Sequence, residues 1–126
     1  MPASAFRSAV ERGDMDAAIE LLADDVVFRS PAVFKPYEGR EAVATILRSI
    51  AQVLEDFRYT DELSGDGVHV LIFEARAGDR ELQGMDLIRP DGVGRIRELT
   101  VMLRPASGLM AAAERMGPLL VAAGVR

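Results

Sequence analysis

Three side chains in this sequence stand where chemistry is conceivable: Ser30, His69 and Asp86. Ser30 closes the stretch LLADDVVFRSP, in which an acidic pair precedes a β-rich run that delivers the serine directly to Pro31. A hydroxyl with no base beside it in sequence is neither an activated nucleophile nor a proton acceptor. Ser30 is therefore expected to hydrogen-bond the chain at the proline bend or to bind a ligand. Asp86 lies in QGMDLIR and shares its face with Gly84 and Ile88. If that face lines an apolar hollow, loss of hydration disfavours the carboxylate and retains the neutral acid, which can donate a hydrogen bond to a ligand carbonyl. The alternative is an ionised acid paired with Arg97 or Arg104, or a strand-end acid in water. An unpaired acid in an apolar wall is costly and usually has a use, so Asp86→Asn is expected to keep the fold and abolish ligand binding. His69 has Leu71 and Phe73 as face-mates and no acid or second histidine spaced with it, the pattern of a satisfied strand residue rather than a catalyst. One histidine, no cysteine and no carboxylates paired at ligand spacing predict no metal site, and no cofactor is implied.

The elements that must hold these residues can be read from periodicity. Phe6, Ala9 and Val10 share one side of a short helix over 4–12, with Gly13 at its C-terminal cap and Asp14 as the N-cap of the next. That second helix is expected over 15–23, with Asp24 and Asp25 helping to stop it. The run VVF then reads as a strand. Pro31 and Pro36 bracket an irregular link carrying Phe34 and Tyr37. A third helix opens near Gly39, with Val43, Ile46, Leu47, Ile50, Val53 and Leu54 at spacings of three and four. After Asp56 come four runs, FRYTDEL, VHVLIFEARA, ELQGMDLIR and RIRELTVMLR, separated by SGDG, GDR and PDGVG. Gly with Asp at each break suits tight turns, so the runs predict a four-strand antiparallel meander. A last helix is expected over 106–116, ended by Gly117-Pro118, with Met110 and Met116 placed to close the mouth of any hollow.

Strand parity carries a second message. Leu99, Val101 and Leu103 share one face of the last strand and Thr100 and Met102 the other, while Val68, Val70 and Ile72 oppose Leu71 and Phe73. A sheet with one wet face alternates more cleanly, so both faces are expected to be covered. Three or four helices can cover one face, and a second copy of the sheet is the simplest cover for the other, which predicts a homodimer through the outer sheet face. A partly exposed apolar face is the alternative.

Composition bounds the function. Nearly half of the residues are apolar, which excludes wholesale disorder. The length suits one domain over 1–126. A net charge of −5 argues against nucleic acid and against an anionic membrane surface as partners. No run approaches a transmembrane span and MPASAFRSAVERGD has no signal-peptide core, so a cytoplasmic protein is expected.

The order helix, Gly-Asp, helix, ADD with a strand, YEGREAV with a helix, then a four-strand meander resembles the SnoaL-like, nuclear transport factor 2-like superfamily. The resemblance covers nearly the whole chain, and GD…LLADDVVFRSP…YEGREAV carries most of it. It implies an α+β cone in which a strongly curved sheet wraps the helices around an apolar pocket. Ketosteroid isomerases, polyketide cyclases, epoxide hydrolases and binding domains share that architecture, so the fold does not choose the activity. The isomerase branch implies a base before the proline, a tyrosine on the first helix and a protonated aspartate on the third long strand. Those positions are Ser30, Phe6 and Asp86 here, so one of the three is kept and proton abstraction beside a carbonyl is not supported. The epoxide-hydrolase pattern fails at Gly84 and at Val101, and Glu98, the one carboxylate of the last strand, turns to the other face. The cyclase pattern, a pocket histidine or aspartate pair, has nothing to place His69 beside Asp86.

Two readings of function follow. In the first, the chain binds an apolar, carbonyl-bearing small molecule, with Asp86 as the anchoring and catalytic group in isomerase- or cyclase-like chemistry and Ser30 orienting the ligand. Phe6, Phe28, Phe34, Tyr37, Leu99, Val101 and Leu103 are then the expected lining, though the same residues could be plain core. In the second, the chain is a non-catalytic interaction module whose cavity is filled by its own side chains.

Overall fold

The computed structural model describes residues 2–125. Helix α1 (Pro2–Glu11) and helix α2 (Met15–Glu20) lead into β1 (Leu22–Arg29), then the two-residue β2 (Tyr37–Glu38) and helix α3 (Arg40–Val53). Strands β3 (Glu55–Gly65), β4 (Val68–Ala77), β5 (Arg80–Pro90) and β6 (Ile96–Arg104) follow, and helix α4 (Ala106–Ala122) closes the described chain. The strands form one sheet in the order β2-β1-β6-β5-β4-β3. Every neighbouring pair is antiparallel except β1 with β6, which run parallel. The helices lie against one face, and the α+β cone expected from the sequence is the fold observed.

The turn between the first two helices forms as its residues dictate. Gly13 adopts a positive φ of 73°, and the Asp14 carboxylate accepts a hydrogen bond from the Ala17 amide at 3.1 Å. Burial alternates strictly along β4, with His69, Leu71, Phe73, Ala75 and Ala77 facing the helices. Leu82, Gly84, Asp86 and Ile88 of β5 face the same way, as do Leu99 and Val101 of β6. The two-sided apolar pattern thus resolves into a buried inner face and a half-exposed outer one.

Four expectations need correction. The second helix ends at Glu20 instead of residue 23, because Leu22 is buried and pairs with Ile96 as strand. Asp24 and Asp25 consequently belong to β1 and stop nothing. The irregular link gives way directly after Pro36 to β2, where Tyr37 pairs with Phe28. The last helix runs through Gly117-Pro118 to Ala122, since Leu119 and Leu120 pack against the core and their burial outweighs the amide hydrogen bond that Pro118 lacks. Among the described residues, no helix is long and apolar enough to cross a membrane.

Candidate functional site

Curvature of the sheet leaves a cavity of about 850 Å³ between its inner face and the helices. Asp86 projects into that space. It is 7% exposed, with Leu71 and Val101 as its cross-strand neighbours on β4 and β6. Among the described residues no guanidinium reaches it: Arg97 donates to the Pro90 carbonyl and Arg104 to Gln83. Its hydrogen-bond partner is the Tyr59 hydroxyl, which donates to Asp86 Oδ2 over 3.3 Å. Loss of hydration pushes the Asp86 carboxyl up to about 7, against the opposing pull of the Tyr59 hydrogen bond. Burial also raises the Tyr59 hydroxyl above its ordinary value, with the Asp86 charge acting in the same direction, so the phenol stays protonated. The pair therefore presents a carboxyl poised between charge states, with Oδ1 left for whatever enters the cavity.

Tyr59 is the site residue that sequence reasoning missed. The isomerase-like tyrosine was sought on the first helix, where Phe6 stands; the hydroxyl comes instead from β3. Its ring meets Phe57 edge-on at a centroid distance of 4.9 Å, and Phe57 stacks on Phe73 at 4.6 Å. On α1 the Arg7 guanidinium lies 5.5 Å from the Tyr59 ring centroid, held by Glu62 at 2.9 Å and Glu11 at 3.3 Å. The signal was present as Phe-x-Tyr in FRYTDEL, which puts both rings on one strand face. What the sequence lacked was the cross-strand register that carries a β3 hydroxyl to β5.

The other candidates divide. Phe6 and Phe28, buried on α1 and β1, line the cavity with Tyr37, and Leu99, Val101 and Leu103 of β6 form another wall. Ser30 reaches the cavity too, where its Oγ accepts a hydrogen bond from the Ala32 amide at 3.0 Å and so braces the proline bend. Phe34 does not belong to the site. The bend at Pro31 and Pro36 carries it outward, and its side chain is fully exposed. Met116 lines the cavity, whereas Met110 faces solvent and closes nothing. His69 is buried on the inner sheet face outside the cavity lining. Glu98 sits on the outer face near Arg29 and Arg89.

A curved sheet closed over helices, with one buried carboxyl in an apolar hollow, defines a cone of the cystatin-like, nuclear transport factor 2-like class. Within that class the chain belongs to the SnoaL-like domain family, whose model matches residues 3–99. It is similar to the crystal structure of a steroid delta-isomerase from Pseudomonas aeruginosa, with 42% identity and a TM-score of 0.91 over 97% of this chain and 90% of that one. It is also similar to an uncharacterised protein with a cystatin-like fold from Silicibacter pomeroyi, at 29% identity and a TM-score of 0.90 over 95% and 85%. A nuclear transport factor 2-like protein of unknown function from Cytophaga hutchinsonii, 18% identical with a TM-score of 0.65 over 84% and 89%, shares the fold alone. No curated protein matches the chain in sequence.

Proposed function

We propose that the protein binds an apolar, carbonyl-bearing small molecule in this cavity, with the Asp86–Tyr59 pair holding the carbonyl oxygen. The carrying observation is a buried carboxyl, the single one among the described residues, which has no cation partner among them and is bonded by one phenol in the wall of an 850 Å³ apolar space. The similarity to a steroid delta-isomerase favours a polycyclic, steroid-like ligand. The chemistry this pair can carry is polarisation of a carbonyl towards its enol, isomerase- or cyclase-like, with the Asp86 acid donating and Ser30 orienting the ligand. A core filled by the chain's own side chains is the weaker reading, because a space of this size is far beyond ordinary packing voids. We also propose that the outer sheet face pairs two copies of the chain, supported by its half-exposed apolar residues, and we place the protein in the cytoplasm on the sequence reading alone.

Thermal unfolding in the presence of androst-4-ene-3,17-dione, with the planar polyketide emodin in parallel, tests the binding reading. Ligand that binds only the folded state at about 100 times Kd adds roughly 2.7 kcal/mol, a rise of several degrees in Tm. Asp86→Asn is expected to fold and to lose that rise. A wild-type protein indifferent to both compounds, or an unaltered rise in the variant, would remove Asp86 from the reading.

A further inference from the structure

The Tyr59–Asp86 hydrogen bond is an awkward one to make. Tyr59 pairs with Phe73, Phe73 with Gly84 and Gly84 with Leu103, one row of inner-face positions crossing four strands. Asp86 belongs to the next row, opposite Leu71 and Val101. The phenol of β3 must therefore pass over β4 to β5, two strand spacings or about 10 Å between backbones. It can do so only if the Phe73 ring, which starts directly beside it, is out of the way.

Gly84 provides that space. A Cβ at this position would stand 2.3 Å from Phe73 Cζ and 2.5 Å from Leu103 Cδ2, so the Phe73 ring occupies the volume a side chain would take. Leu103 is half-buried and can turn aside. Phe73 cannot yield as easily: its ring is rigid, it is buried, and Phe57 stacks on it. The Tyr59 ring stands perpendicular to both, 6.3 Å from Phe73. Any side chain at position 84 pushes Phe73 towards β3, and the displacement passes through the stack to the phenol.

We infer that Gly84 is a positioning residue, which keeps the Tyr59 hydroxyl on Asp86 by letting the Phe73 ring lie flat across β5. This deepens the reading of Asp86 and Tyr59 as the anchoring pair and depends on it. Among the described residues, the other charged or titratable groups around the pair are Arg7 and Glu11 on α1, across the Tyr59 ring, Glu62 on β3, which holds Arg7 and pairs with Leu71, and His69 two residues along β4 from Leu71. None contacts Gly84, so a change at that position reaches Asp86 through the rings.

The test is a size-exchange cycle read by carboxyl NMR on aspartate-labelled protein, with the Asp86 signal assigned by its loss in Asp86→Asn. The wild-type carboxyl is expected to titrate at about 7. Tyr59→Phe removes a bond that favours the charged form and sets the reference, an upward move of about half a pH unit or more. Gly84→Ala, which crowds the stack, and Phe73→Leu, which removes its support, are each expected to move the titration the same way. The combined variant, in which the leucine makes room for the new methyl group, is expected to return to the wild-type value. A folded Gly84→Ala protein with an unshifted titration overturns the inference, as does a combined variant that stays shifted. If Gly84→Ala alone fails to fold, the Phe73→Leu and combined variants decide by the same criterion. A wild-type Asp86 that titrates near the ordinary value of about 4 instead contradicts the anchoring pair itself, a separate failure.

Discussion

At the scale of the residue, Asp86 makes binding and stability oppose each other. Its folded-state carboxyl is raised to about 7 from an ordinary 3.8. Below the lower value both folded and unfolded chains are protonated, and the burial costs nothing extra. Between the two values the unfolded chain ionises while the folded one retains its proton, so stability falls as pH rises through that window and levels off above it. The ceiling of this loss is on the order of 4 kcal/mol. Asp86→Asn removes the ionisation, and urea unfolding from pH 4 to 8 is expected to show the variant less pH-dependent than wild type and more stable than it above pH 7. Parallel pH profiles for the two proteins would contradict a buried, ionisable Asp86. The acid itself was legible in the sequence because its neighbours in GMDLI are apolar and β parity assigns its face. Tyr59 was not, because its partner lies two strands away and register is a tertiary property. Phe34 was misplaced for a related reason: apolar character argues for burial, but the proline bend decides which way the side chain leaves the chain.

At the scale of the element, the meander and the third helix were legible because each has an unbroken period and a chemical stop at both ends. Gly39 stands before α3 and the Gly-Asp turns separate β3, β4 and β5. The second and fourth helices were misjudged where local and tertiary preferences disagree. Leu22 continues the helical pattern yet is drawn into the sheet by Ile96, and Pro118 reads as a stop yet is carried inside a helix by the packing of its neighbours. The outer sheet face has a consequence of its own. Ile72, Met85 and Met102 form one row across three strands, with Val70 and Leu87 paired in an adjacent row. Met102 is about half exposed in the isolated chain, as is Leu63 beside Val70. An apolar band of this kind suits a second copy related by a twofold axis. Sedimentation is expected to give a dimer mass for wild type and a monomer mass for Met102→Lys, which places a charge in the middle of the band. A monomeric wild type would leave this face without a partner and end the dimer proposal.

At the scale of the whole molecule, the cone solves a packing problem in a way that creates a site. The sheet curves around helices too few to fill it, and the space left over is lined by apolar side chains from all four helices, α2 contributing Met15. Water in such a space has few polar partners, which is why one carboxyl within it acquires an unusual charge state. The α+β cone could be anticipated from element order, whereas the size of the hollow could not, since apolar lining residues and core residues look alike in sequence. The most direct test of a neutral Asp86 grasping a carbonyl is the affinity for androst-4-ene-3,17-dione, measured by calorimetry from pH 5 to 9. Binding is expected to be tight on the acid side and to weaken about tenfold per pH unit once the pH passes the Asp86 midpoint at about 7. Binding that stays level across that range, with the folded protein intact throughout, would contradict it.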